Sequence, residues 1–501
     1  MASTSYTQLF FLLFPLLLIS SLTQSLHLPL THSLSATTFT SPHHLLKATT
    51  VASATRHHLR KQKQKQQQQQ QQQISLPLSP GSDYTLTFTL NSQTLSVYMD
   101  TGSDVVWFPC SPFECILCDD KYPPGTLKLL HVTNSSLLSC KSRACSSVHS
   151  SLPSSDLCAI AACPLADIET SDCRNFACPP FYYAYGDGSL IAQLHKHDLT
   201  MPSNSKTPLM LKNFTFGCSN TALGEPIGVA GFGRGRLSLP AQLADMSPEL
   251  GNQFSYCLVS HSFNSDKLRH PSPLILGKHK QKVDFSQNEV MTSLPSFVYT
   301  PMLDNPKHPY FYSVGLDAIS VGSRRIDSPM NLKRVDHNGD GGVVVDSGTT
   351  YTMMPTGFYN SVASELDRRV GKVFKRTKET ELRTGLSPCY ELDTRKGSVG
   401  LVVPSMVLHF GGNGDNSSVV LPRRNYFYEF VDGGNEGKKG KKVGCLMMMN
   451  GGDDGETGSG PGLTLGNYQQ QGFEVVYDLE EMRVGFARRK CASLWEDLNR
   501  H

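Results

Sequence analysis

The alternation of apolar and polar residues predicts strands over much of the chain. Tyr84-Thr85-Leu86-Thr87-Phe88-Thr89-Leu90 alternates at a period of two, the pattern of a strand with one buried face. Asn91-Ser92-Gln93 breaks the run as a turn, and residues 94–99 return as a second strand. Phe181-Tyr182-Tyr183-Ala184-Tyr185 is an aromatic strand, and Gly186-Asp187-Gly188 after it signals a hairpin. Further strands are expected over 213–218, 254–259, 274–276, 310–316 and 318–321, then over 463–467, 473–477 and 483–486. Helical periodicity is convincing only over 355–369, where Phe358, Val362 and Leu366 fall on one face. A short helix is expected over 237–243, after the glycine-rich run 227–236. These elements predict an all-β fold, mainly strands with short helices.

Within this pattern one unit occurs twice. Val97-Tyr98-Met99-Asp100-Thr101-Gly102-Ser103 leads into an apolar run through Trp107 to Pro109. Val343-Val344-Val345-Asp346-Ser347-Gly348-Thr349 leads into a similar run ending at Pro355. The two align without a gap. Each is an apolar strand, an Asp in a tight turn, and a second apolar strand. Gly102 and Gly348 permit the sharp turn, and the hydroxyls of Thr101, Ser103, Ser347 and Thr349 can hydrogen-bond a carboxylate. A single triplet of this kind is common in ordinary turns. Two copies with matched flanks indicate an internally repeated protein whose halves each bring one Asp to a shared site.

The chain has 501 residues, 39% hydrophobic and 18% charged, enough for a large core in two lobes. Its formal net charge of +3 selects no partner, and no basic face with interleaved aromatics suggests nucleic acid. The apolar run 9–19 is short for a membrane span and is followed by small polar residues, so residues 1–24 read as a secretory signal peptide. No apolar tail suggests a GPI anchor. Residues 25–78 read as a pro-segment, basic in part and carrying a glutamine run that should be disordered. All 14 cysteines lie between Cys110 and Cys491, as an oxidised framework requires. Asn134, Asn213 and Asn416 begin sequons for glycosylation in the same compartment.

Residues 110–178 hold nine of the cysteines, with poor periodicity and frequent Ser and Pro. This is a loop-rich insert held by disulfides. Its Cys115-Ile116-Leu117-Cys118 has metal or redox spacing, but among so many secreted cysteines the structural role is favoured. Asp336-His337-Asn338-Gly339-Asp340-Gly341 opens like a calcium loop, yet Ser347 stands where the bidentate Glu is needed, so it reads as a hairpin turn. The glycine-rich run lacks a following Lys-Ser or Lys-Thr and so does not read as a phosphate loop. No metal and no cofactor is implied.

Taken together, residues 80–491 resemble the pepsin family of aspartic proteases, and within it the plant nepenthesin-like group. The resemblance rests on Asp100-Thr101-Gly102-Ser103, Asp346-Ser347-Gly348-Thr349, Tyr185-Gly186-Asp187-Gly188, the apolar-Gly strands 228–233 and 463–466, the cysteine-rich insert, and Gln253-Phe254-Ser255-Tyr256-Cys257-Leu258. It implies a bilobal fold with a central cleft: an N-terminal lobe over 79–255 and a C-terminal lobe over 256–495. It implies Asp100 and Asp346 as the catalytic pair, a flap over the cleft carrying Tyr185, Gly186, Asp187 and Gly188, and Trp107 as the flap tyrosine's partner. It also implies the pairs Cys389–Cys445 and Cys257–Cys491.

Two carboxylates about 3 Å apart cannot both ionise easily, so they share a proton. One then acts as base toward a water held between them, and the other as acid toward the scissile carbonyl. The expected function is a secreted, monomeric endopeptidase that hydrolyses polypeptides at acidic pH, in the cell wall or the vacuole. The alternative is an inactive relative that inhibits cell-wall-degrading glycosidases. Such relatives typically lose a dyad Asp or its neighbours, and both triplets are intact here.

Overall fold

The structure, a computed structural model, describes residues 26–32, 84–90, 92–118, 127–185, 188–201, 208–224, 226–250, 252–260, 271–277, 296–393, 398–412, 417–432, 440–452 and 460–498. Gly186, Asp187, Asn416, the signal-peptide segment and the glutamine run lie outside these residues.

The twofold repeat read from the sequence is a repeat of three-strand units. Strand Gln93–Asp100 runs into the first Asp loop and Val106–Ile116 runs out of it. Strand Val229–Gly231 crosses between them, parallel to the first and antiparallel to the second. In the second half Val343–Val345 enters, Thr352–Met354 leaves, and Leu463–Leu465 crosses with the same two senses. The crossing strands are the apolar-Gly segments of the sequence. A parallel neighbour must come from far along the chain, so each Asp loop is closed only when its lobe is complete.

Six antiparallel strands, continuous with both of these units, join the halves. Their order is Leu26–His32, Ser272–Leu276, Gln253–Cys257, Phe473–Asp478, Arg483–Arg488, Val298–Leu303. Strand Ser272–Leu276 is buried at all five positions and Phe473–Asp478 at all six, so both read as apolar-rich runs more than as alternation. The lobe boundary expected at residue 255 falls inside Gln253–Cys257, a member of this shared floor. The first strand lies at the start of the chain. Leu26–His32 belongs to the segment read as a pro-segment, yet it pairs with Ser272–Leu276 and with Tyr84–Leu90. Its Leu-His-Leu-Pro-Leu alternation is short and is diluted by the Ser- and Thr-rich residues that follow it.

The expected helices form with shifted ends. One spans Thr356–Val370 and buries Phe358, Val362 and Leu366 together with Tyr359 and Val370. Pro355 caps its start in an extended conformation, as a residue with a fixed φ does readily. The other spans Leu239–Met246, capped by the Ser238 side chain. The cysteine-rich insert contains short helices, Arg143–Val148, Ser154–Ile160 and Leu165–Glu169, where loops were expected. Helices of five to seven residues are too short to show periodicity, and disulfides Cys140–Cys158, Cys145–Cys178 and Cys163–Cys173 hold them. Those cystines pack with Leu157, Trp107, Phe181 and Tyr185 in one buried cluster. Cys115 and Cys118 bond to each other, and Cys110 pairs with Cys218. Cys257–Cys491 and Cys389–Cys445 form as the resemblance implied. No cysteine is free. Residues 336–341 make a hairpin turn in which Asp336 Oδ1 accepts from the backbone N–H groups of Asn338 and Asp340.

Candidate active site

Asp100 is the last residue of its strand and Asp346 the first after its own, so each crossing strand ends beside a carboxylate. Both aspartates are buried, Asp346 completely. The loops hold each other through reciprocal bonds. The Thr101 N–H donates to Ser347 Oγ at 3.1 Å, and the Ser347 N–H donates to Thr101 Oγ1 at 2.8 Å. Thr101 Oγ1 donates to Val345 O, and Ser347 Oγ donates to Met99 O, both at 3.1 Å. Each hydroxyl thus both donates to and accepts from the opposite loop. In a dry interior such a fully satisfied network fixes position strongly.

Within each loop the glycine N–H turns back to its own acid. Gly102 donates to Asp100 Oδ1 at 2.8 Å, and Gly348 donates to Asp346 Oδ1 at 2.9 Å. Asp100 Oδ1 also packs on the Gly348 Cα, where a side-chain carbon would come within 2.2 Å of it. Both carboxylates therefore flank Gly348. The hydroxyl groups that follow are not equivalent. Thr349 Oγ1 donates to Asp346 Oδ2 at 2.6 Å. Ser103, expected in the same role, has a buried hydroxyl with no hydrogen-bond partner among the described residues.

The flap hairpin is built from Phe181–Ala184 and Ser189–Met201. Tyr185 donates its N–H to Gly188 O at 2.6 Å, and its ring lies 6.4 Å from that of Trp107, tilted by 32°. The structure thus brings the expected tyrosine and tryptophan together. It also shows a contact that sequence reading missed. Tyr183 Oη donates to Asp104 Oδ1 at 2.7 Å and accepts from the Asp104 N–H at 3.3 Å. Burial, then the neighbouring Asp104 charge, raises the Tyr183 phenol well above its ordinary range, so it stays a donor. Asp104 sits in the first Asp loop, its other oxygen against Gly235, where a Cβ would stand 2.0 Å away. The flap stem is thereby tied to the loop that carries Asp100. The available signal was an acid directly after the first repeat unit and a tyrosine two places before Tyr185.

Behind the flap, His195 is buried, stacks on Phe216 and has Nδ1 2.7 Å from Ser136 Oγ. Burial pushes it down to about 4, so it is neutral above that pH. Asn134 and Asn213 are exposed. Cys145, His149 and Cys178 approach one another, but the two cysteines are bonded and cannot ligate a metal.

Paired lobes, each placing an Asp loop under a crossing strand, with a hairpin over the first, define the pepsin-like acid-protease fold. Solved structures share it: conglutin gamma, a basic 7S globulin from lupine seeds, has a TM-score of 0.58 at 17% identity, covering 93% of this chain and 95% of its own. The soybean basic 7S globulin has a TM-score of 0.57 at 17% identity, covering 94% and 99%. Two family models match, described as Xylanase inhibitor N-terminal over residues 84–278 and Xylanase inhibitor C-terminal over 311–488. A probable aspartyl protease of Arabidopsis thaliana is 57% identical, covering 96% of each chain. Aspartic proteinase nepenthesin-1 of Nepenthes gracilis is 29% identical, covering 82% of this chain and 78% of its own. The chain belongs to the plant nepenthesin-like group of the pepsin-type aspartic endopeptidase family.

Proposed function

We propose that this protein hydrolyses internal peptide bonds of polypeptides at acidic pH through a water activated by Asp100 and Asp346. The reading is carried by the reciprocal Thr101–Ser347 bonding, which sets both carboxylates against Gly348. Two carboxyl groups so close, on an apolar floor, hold one proton between them over a range of acidic pH. The ionised one removes a proton from the water as its oxygen attacks the scissile carbonyl, and the protonated one donates to the carbonyl oxygen. The proton belongs to the pair. Tyr185 closes over an extended substrate and excludes water. We assign secretion to the N-terminal apolar run, glycosylation to Asn134 and Asn213, and a monomeric working form.

The second reading, inhibition of cell-wall-degrading glycosidases, is favoured by the description of the two matching family models. Both complete Asp loops weigh against it. Casein or haemoglobin digestion at acidic pH, run beside a pull-down against glycosidases, separates the two. Acid-dependent cleavage without glycosidase capture is the expected result. Capture without cleavage would replace the protease reading by the inhibitor one.

A further inference from the structure

The two Asp loops are wired differently at one atom. The Asp100 carbonyl accepts from a backbone group, the Phe232 N–H, at 2.8 Å. The Asp346 carbonyl accepts from a side chain. Gln470 Nε2 donates to it at 3.2 Å and to Leu465 O at 2.9 Å. Gln470 is buried, at the end of the short helix Asn467–Gln470 that follows the crossing strand.

Its orientation is fixed by chemistry. Carbonyl oxygens only accept, so Nε2 must face them and Oε1 must point the other way. There Oε1 accepts from Tyr256 Oη. Tyr256 has a single proton, which it gives to Gln470. In its 2.8 Å contact with Tyr477 Oη, Tyr477 must therefore be the donor. Tyr477 Oη in turn stands 3.4 Å from Val345 O, one residue before Asp346. Tyr256, Tyr477 and Gln470 are all buried, and burial raises both phenols above their ordinary range, so neither ionises at acidic pH.

We propose that Gln470 is a positioning residue for Asp346, held in place by the Tyr477–Tyr256 hydroxyl pair, and that this wiring makes the two carboxylates inequivalent. The proposal rests on the protease reading above. Removing the amide takes a donor from the buried Asp346 carbonyl, and the loop turns to compensate. The Thr101–Ser347 bonds and the Thr349 bond to Asp346 then shift together. Displacements of tenths of an ångström at reacting groups change rate more than affinity.

The test compares the full chain with Gln470→Leu and Tyr256→Phe. Tyr390→Phe serves as the control, since it loses a buried hydroxyl bonded to Asp367 away from the Asp loops. Gln470→Leu and Tyr256→Phe are expected to lower kcat roughly tenfold with KM within about twofold, the signature of lost alignment. The acid limb of the pH profile should move by about half a pH unit or more. Tyr390→Phe should lower Tm and leave the profile in place. Lower Tm in all three with an unchanged kcat and profile would overturn the proposal, because a purely structural role predicts that result. Tyr256→Phe removes one oxygen, so it decides the matter if Gln470→Leu does not fold. Carboxyl-13C titration, with Asp346 assigned by its loss in Asp346→Asn, reads the same effect without turnover. A shifted Asp346 midpoint in the variants supports the positioning role, and an unshifted one overturns it. An inactive wild type would overturn the protease reading alone.

Discussion

At Gly348 a methyl group would stand 2.2 Å from Asp100 Oδ1, a carboxylate that has little freedom to move. Gly348→Ala should therefore displace Asp100 and cost roughly 100-fold or more in kcat, with a smaller effect on Tm; parallel kinetics and thermal melts check this. His195 makes a different prediction. It stays neutral in the folded protein down to about 4, whereas in the unfolded chain it takes up a proton near 6.5. Unfolding thus consumes a proton between these values. Stability falls as pH drops through that window, with a slope approaching about 1.4 kcal/mol per pH unit. Denaturant titrations at a series of pH values should show a flatter dependence for His195→Gln than for wild type. At this scale the Asp triplets and their glycines were legible in the sequence, because a turn after a carboxylate has a local signature. Gln470 and Asp104 were not. Their partners lie 124 and 79 residues away, and only the fold sets those distances.

The flap is a hairpin whose tip carries Tyr185 and whose stem is pinned by Tyr183 to Asp104. The pin keeps the base of the hairpin in register with the Asp100 loop. Tyr183→Phe should loosen the stem and raise KM about three- to tenfold with a smaller change in kcat, which initial-rate kinetics on a peptide substrate would read. A kcat loss with KM unchanged would contradict a role in closing over substrate. Alternation and turn chemistry revealed this hairpin in advance, as they did the paired strands 84–90 and 94–99. The insert helices escaped because five to seven residues span less than two turns. Strand Val343–Val345 was legible only through its repeat; buried on every side, it has no polar face to alternate with.

Across the whole molecule, each lobe offers one carboxylate and neither site is complete alone. The grip between Thr101 and Ser347 spans 246 residues of chain and is the contact on which the paired site depends. The floor sheet beneath it takes strands from residues 26 to 488, which is why the expected lobe boundary cut through a strand. Leu26–His32 belongs to that floor, pairing first with Ser272–Leu276 and then with Tyr84–Leu90, although the Ser- and Thr-rich residues after it read as a spacer. Six of the seven disulfides close the insert, the flap base and the C-terminal helix onto this frame, and Cys389–Cys445 joins two neighbouring strands of the second half, as the grouping of cysteines between Cys110 and Cys491 implied in general though not in connectivity. The most direct test of the account is hydrolysis of a protein substrate from acidic to neutral pH by wild type, Asp100→Asn and Asp346→Asn, with a thermal melt of each. Wild type should be active near about pH 4 and silent near neutrality, and each variant should lose roughly 10⁴-fold or more while melting as a folded protein. Wild-type rates in either variant, or a maximum near neutrality, would contradict it.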